Sequence, residues 1–495
     1  MRAAPRSATA TAGRALPQAA AALVLVLLLL VIVRLPWAGD LGMHAATIER
    51  LRHSLVHPGN PLVDADTPSP YYSPWMLVLG GIARITGLSV FVVLRVGALV
   101  GLALLVTGVW RYVRTLSPHR AAPAIALLCL LLLWGPLLFE WSGFLGLNSL
   151  ALTVSYPSVF ALGLSFHLWA WLTGALRDGA GRGAWPALGV LWAVILLVHQ
   201  FSGVVASLGA LATVVAARPG RRVLPRLGAG VALGLVVLWA WPFYDFFSLF
   251  SAGADLEAIH RSLYGHLPGR FGLVLLGVAA LALRWRRDRW DPLVIFFVLG
   301  AAVFAAGGAS GHYSWGRVLP AALIPAQLAA ALEVVGGEGR ARVVRIGWAC
   351  ALAAALAVGA WTQIGTLGYV VRPGALPGAV AAKYRAPWVG YRWITPWVKY
   401  GDVVMARTFP SRQIPAYGPY TVAARDTDGL QPVEGRRDAA VRRLFAAGTP
   451  GSERRGIARE YGVRWVVDTG TAPPGAGLRE VARGPGGQVL YTVEH

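Results

Sequence analysis

The first carboxylate of the chain is Asp40, directly behind an apolar run, Ala19 to Val33, that closes with Arg34, Leu35, Pro36 and Trp37; His44 and Glu49 follow within the next ten residues. An ionised group at a membrane edge is costly unless something pairs it or uses it. If residues 41–55 form a helix, Asp40 and His44 stand one turn apart and address the same point in space, which suits a general base and its partner. Asp before a helical run is equally a helix cap, and one residue can do both.

The same stretch carries His53, His57, Asp64, Asp66, Tyr71 and Tyr72. Asp64-Ala-Asp66 has the spacing with which two carboxylates chelate a divalent cation, but between Pro61 and Pro68 it reads more simply as a turn-forming acidic pair. The histidines are irregularly spaced and no HExxH arrangement occurs, so a zinc hydrolase has little support. Farther along, His312-Tyr313-Ser-Trp315-Gly-Arg317-Val-Leu-Pro320 sets an Arg at the outer mouth of a helix that runs apolar to Leu332. There a guanidinium can bind a phosphate bidentately or snorkel to lipid headgroups. Tyr244, Asp245, Asp255, Glu257, His260, Arg261 and His266 populate another outer loop that could close over a site, while His199, at the outer end of a helix, is read as a satisfied core histidine. Trp37, Trp75, Trp141 and Trp315 near helix ends form an interfacial belt.

The elements that must hold these groups are membrane helices. Of 495 residues 56% are hydrophobic and only 14% charged, so most of the chain dissolves in lipid. Apolar runs fall near 19–36, 72–87, 88–110, 121–138, 157–176, 184–200, 201–217, 227–243, 270–283, 291–308, 317–335 and 346–366, which predicts about 11–13 helices. The net charge of +22 comes from Arg, with Lys only at 383 and 399, and Arg is dense in four short loops, at 177 and 182, 218–226, 284–289 and 340–345. Such loops are cytoplasmic by the positive-inside rule, and the charge marks anionic lipid surfaces rather than nucleic acid. Arg2, Arg6 and Arg14 ahead of the first run suggest a retained signal-anchor with its N-terminus inside. Cys129 and Cys350 lie far apart in apolar runs and suggest neither a disulfide nor a zinc site.

Alternation then places 37–71, 139–156, 244–269, 309–316 and everything after 367 outside. Three full crossings cannot join the first two of these loops. Either 72–87, interrupted by Gly80, Gly81 and Arg84, is only partly inserted, or an extra short crossing follows Glu140. The expected division is a transmembrane domain at 1–366, including the first outer loop, and an extracytoplasmic domain at 367–495. In that tail the β-rich runs 402–406 and 463–467 alternate with helical patterns at 438–447 and 450–462, which predicts a small α/β or α+β module.

An outer loop opening Gly39-Asp40-Leu-Gly-Met-His44, a Tyr71-Tyr72-Ser73-Pro74 entry to the next segment, Arg317 at an outer helix mouth and Tyr461-Gly-Val-Arg-Trp-Val-Val467 in the tail together resemble the GT-C superfamily of polytopic glycosyltransferases, as architecture over nearly the whole chain. The resemblance implies transfer of a sugar from a polyprenyl-phosphate donor to a glycan, lipid or protein acceptor outside the cytoplasm. It makes Asp40 the residue that deprotonates or positions the acceptor and Arg317 the contact to the carrier phosphate. Many members carry an acidic pair at the first position; here Leu41 follows Asp40, so His44 or Glu49 is left to supply the second group. Tyr71, Tyr72, Tyr313 and Trp315 would stack on sugar rings or belong to the belt, with His312 beside them. A carboxylate and an Arg suffice for the chemistry, with inversion at the anomeric carbon and a divalent metal optional. The partners expected are the lipid-linked donor, the acceptor and membrane lipids. The competing readings are a transporter or lipid flippase, favoured by Arg95 inside an apolar run, and an envelope scaffold that would tolerate loss of Asp40.

Overall fold

The computed structural model describes residues 8–181, 183–251, 254–336, 342–424, 434–469 and 477–494. The Arg-rich loop positions Arg182 and Arg340 lie outside them. Four helices open the chain: α1 (Ala8–Arg34), α2 (Leu41–His53), α3 (Pro74–Thr86) and α4 (Val90–Leu116). Among the described residues eight helices are long and apolar enough to cross a bilayer, and four shorter apolar ones, Pro74–Thr86, Ala122–Leu132, Ala184–Val198 and Leu224–Trp239, accompany them. The protein is a multi-pass membrane protein built mainly of helices.

The chain divides into two compact units. One comprises Met1–Pro36, Ala98–Leu238 and Ala254–Ala386; the other comprises Trp37–Gly97, Trp239–Gly253 and Pro387–His495. A border at 366/367 therefore falls inside the first unit, and the first outer loop belongs with the tail.

The first unit is a helical bundle with one continuous apolar core. Glycines let its helices touch backbone to backbone: Gly189 meets Gly230, and Gly359 meets the Leu132 carbonyl, with no room for a Cβ at either. Helix Ala122–Leu132 is buried along its whole length and stops after eleven residues. Its orphaned carbonyls need donors. Gln363 Nε2 donates to Leu131 O at 2.9 Å and Gln327 Nε2 to Leu133 O at 2.9 Å.

The second unit is built on a five-stranded sheet, β1 (Val403–Ala406), β2 (Tyr420–Thr421), β3 (Val463–Asp468), β4 (Leu478–Arg483) and β5 (Val489–Val493), in the order β2-β1-β3-β5-β4. β1 runs parallel to β2 and β3, whereas β5 is antiparallel to β3 and β4. Side-chain alternation gives each face its own core: Val403 and Met405 join Val441, Leu444 and Val466 on one side, and Val404 and Ala406 join Ile394, Trp465 and Leu490 on the other. The expected strands at 402–406 and 463–467 and the two helical stretches, observed as Glu434–Phe445 and Gly451–Glu460, are present.

α3 belongs to this unit. Its thirteen residues rise about 20 Å, short of the roughly 30 Å hydrocarbon core. It packs Gly80 against Leu51 of α2 and leaves Val78 and Ile85 exposed.

Candidate functional site

In the second unit the acid-bearing segment is set by α2. Pro36 ends the first helical run, Gly39 turns the chain at φ +49, and Asp40 occupies the N-cap position with φ −87 and ψ 9. Its side chain makes no cap hydrogen bond; only its carbonyl enters the helix, accepting from His44 N at 3.1 Å.

His44 is buried one turn on, its ring centre 5.7 Å from that of Tyr71 in an edge-on arrangement. Burial pushes its imidazole down to about 3, so it is neutral at physiological pH. It can donate or accept a hydrogen bond there but supplies no positive charge. The Tyr71 hydroxyl reaches Met43 Sδ at 3.6 Å, so Asp40, His44 and Tyr71 share one end of α2.

The remaining residues proposed for this region are turned to other tasks. Glu49 is nine residues from Asp40, half a helical revolution away, and contacts His53 at 3.3 Å and Arg52 at 3.7 Å. The buried Tyr72 donates its hydroxyl to Gly59 O at 2.7 Å and receives Trp241 Nε1 on its own carbonyl. It anchors the loop. Asp64 and Asp66 lie in a turn closed by Asn60 N to Ala65 O and by Asn60 Oδ1, which accepts from Leu62 N and Val63 N. Arg95 stands in the second turn of α4 rather than mid-helix, with Nη1 donating to Phe91 O at 3.2 Å.

In the first unit, Arg317 ends a short 3-10 turn, Tyr313–Val318, that leads into the helix Pro320–Val335. It is 8% exposed, so it does not snorkel to the headgroups. Its guanidinium carbon lies 4.6 Å from the Phe201 ring and 5.8 Å from Trp141. His260 packs on the same two rings, 5.6 Å from Phe201 and 5.7 Å from Trp141. Gly143, at φ +83, gives the cluster its floor: a Cβ there would sit 3.9 Å from Arg317 Nη2 and 3.6 Å from His199 Cε1. His199 in turn caps the helix Gln200–Ala217, its Nδ1 accepting from Ser202 N at 3.1 Å.

The turn is tied down from the side. Glu257 accepts from Ser314 N at 2.8 Å and from the Ser314 hydroxyl at 2.6 Å. Partial desolvation pushes the Glu257 carboxyl up, but these bonds, with His312 and His260 nearby, outweigh it and hold it below the ordinary glutamate range. Tyr313 packs edge-on to Tyr264, 5.5 Å away, under Arg261, and His312 stacks on Trp315 at 5.4 Å.

Trp141, expected in the lipid belt, and His199, expected as a core histidine, belong to this cluster, and so does Phe201, which the sequence does not mark. The signal available was their common position at outer helix ends. The ring-to-cation pairing itself is tertiary. Of the other belt residues, Trp75 is buried and Trp37 is held between Phe91 and Tyr417, at 5.5 and 5.7 Å. Among the described residues no cluster of three metal-ligating acids, histidines or cysteines occurs.

No family model matches the sequence, and no curated protein matches it. Solved structures do. The crystal structure of ArnT from Cupriavidus metallidurans in the apo state aligns with a TM-score of 0.55 at 17% identity, covering 98% of each chain. The same protein bound to undecaprenyl phosphate aligns at 0.52 and 16% identity, covering 95% of this chain and 96% of that one. Arabinofuranosyltransferase AftD from Mycobacteria aligns at 0.54 and 18% identity over 96% of this chain, which spans only 40% of the AftD chain. The chain has the fold of the GT-C glycosyltransferases.

Proposed function

We propose that this chain is an integral membrane glycosyltransferase that moves a sugar from a polyprenyl-phosphate carrier to an extracytoplasmic envelope acceptor, with Asp40 as general base and Arg317 as the contact to the carrier phosphate. The fold supports the class, and the undecaprenyl phosphate bound to ArnT supports the kind of donor. The observation that carries the reading is Asp40 itself. It is the first carboxylate after α1, it opens α2, and its side chain takes no part in capping that helix.

In the reaction the acceptor hydroxyl gives its proton to the Asp40 carboxylate while its oxygen attacks the anomeric carbon. The bond from that carbon to the phosphate oxygen breaks, and the polyprenyl phosphate departs with the electron pair. Configuration inverts in a single displacement. Arg317 meets the charge that grows on the leaving phosphate, where a preoriented cation in a water-poor site acts more strongly than in bulk water. His44, kept neutral by burial, orients groups by hydrogen bonding, and Tyr71 lies within reach of the same end of α2.

An N-terminus inside and a tail outside agree with this reading. On the reading of 72–87 as partly inserted, the eight long spans and the three other short apolar helices make an odd number of crossings. That arrangement also moves Arg111, Arg114 and Arg120 to the cytoplasmic side, where the positive-inside rule puts them.

The test is Asp40→Asn. Transfer should fall by about 10²–10⁴-fold, with expression and membrane insertion unchanged. Wild-type turnover in that variant would remove Asp40 from the mechanism.

A further inference from the structure

Arg50 lies near the far end of the helix that Asp40 opens, and it is fully buried. Nη1 donates to Gly418 O at 2.8 Å and Nη2 to Pro419 O at 2.6 Å. Its guanidinium carbon stands 3.6 Å from the Tyr420 ring and 4.9 Å from that of Tyr400. All four partners belong to the tail. Taking a guanidinium out of water is costly unless its geometry is well satisfied, and apolar packing would join a helix to a sheet more simply. What a forked, planar group adds is direction: two carbonyls fix its edge and two rings fix its plane.

A second fixed point lies at the other end of α2. Gly42 sits flush on the backbone of Arg412 and Gln413, leaving no space for a Cβ. A third lies in the loop that follows. Val63 forms a parallel bridge with Thr421, and Thr421 N donates to Leu62 O at 2.8 Å, so the outer loop adds to the sheet at its β2 edge. Gly42 and Arg50 are about 12 Å apart along the helix axis. Fixed at both points against residues 412–420, α2 can neither slide nor turn.

We propose that Arg50 is a positioning residue for sugar transfer and that the tail is the template that sets Asp40. The clamp of Gly418, Pro419, Tyr400 and Tyr420 on Arg50, with the seat under Gly42, fixes the axial position and rotation of α2, and through them the carboxylate two residues before Gly42. The inference rests on the reading of Asp40 as the base. A displacement of about 1 Å at a reacting group costs on the order of 100-fold in rate, so a loosened helix should be felt in turnover before it is felt in donor binding.

The experiment uses the full chain in nanodiscs, with farnesyl-phosphoryl arabinofuranose and farnesyl-phosphoryl mannose as donor probes and an octyl glycoside acceptor. Arg50→Met should lower kcat by about 10-fold or more while donor KM stays within about twofold. Tyr420→Leu should act in the same direction, and Tyr420→Phe, which keeps the ring face, should match the unaltered protein. Hydrogen exchange should rise in 41–53 of Arg50→Met and stay unchanged in Pro157–Arg177. Unchanged kcat in Arg50→Met, equal losses in the Leu and Phe variants, or loss of protection throughout the membrane helices would overturn the proposal. Asp40→Asn is measured alongside. If it is inactive while Arg50→Met is not, the anchor alone fails; if it is active, the reading beneath both fails.

Discussion

The guanidinium of Arg317 lies 4.6 Å from the ring of Phe201, and His260 reaches that ring from 5.6 Å. An aromatic face holds a guanidinium by its plane, so the N–H edge is what it presents to oxygen. This separates Arg317 from the many arginines of the short loops between helices. Its guanidinium is buried and held against packed rings.

If that N–H edge meets a phosphate, Arg317→Ala should weaken use of the donor far more than use of the acceptor. A hydrogen bond to a charged group contributes about 1.5–3 kcal/mol, which corresponds to about 10- to 150-fold in binding of farnesyl phosphate. Farnesol, which lacks the phosphate, should bind both proteins alike. Lys should rescue poorly because it neither stacks nor forks. Equal losses for donor and acceptor, measured by titrating each in turn, would argue against the carrier-phosphate role.

His44 predicts a pH dependence with a definite sign. Its folded value of about 3 lies below the ordinary 6.5, so between these the unfolded segment binds the proton that the folded one refuses. Stability of α2 is full above about pH 6.5 and declines as the pH falls toward 3, by about 1.4 kcal/mol per unit through this one group. Hydrogen exchange over 41–53, followed from pH 7 to pH 4, should show the opening free energy shrinking on that slope. His44→Gln, which does not titrate, should flatten it. A slope that persists in the Gln variant would assign the effect to another group.

How much of this could be read in advance differs between the two halves of each site. The place of Asp40 at the head of a helix was legible, because nothing acidic precedes it and Leu35, Pro36 and Gly39 break the helix just before it. The β1 and β3 runs were legible from alternation and β-branched residues. The status of Arg50 was not. A charged residue between Glu49 and Leu51 on a polar helix reads as solvent-facing, and only the return of Gly418, Pro419 and Tyr420, some 370 positions later, buries it. The border between α3 and α4 was legible only in part: the two apolar runs are continuous but for Gly87 at φ +69, which ends α3 with a left-handed residue after thirteen residues.

Glu257 offers a way to disturb Arg317 without touching it. Its two bonds to Ser314 hold the turn from which Arg317 projects, and the carboxylate is the form that accepts both. Because its pKa is held below the ordinary 4.5, this stabilisation is fully present above that pH and is lost only as the pH falls through the lower folded value. At neutral pH Glu257→Ala should raise donor KM by about 3- to 10-fold, the scale of one or two solvent-accessible hydrogen bonds, while acceptor KM stays put. Glu257→Gln keeps one accepting oxygen and should fall between the two. In acid the original protein should drift toward the Ala variant, whose donor KM should not drift in parallel. Ser314→Ala tests the same contact from the other side: it removes the hydroxyl donor but leaves the amide, so its effect should be the smaller. If Ser314→Ala exceeded Glu257→Ala, the serine would have a role beyond holding the turn.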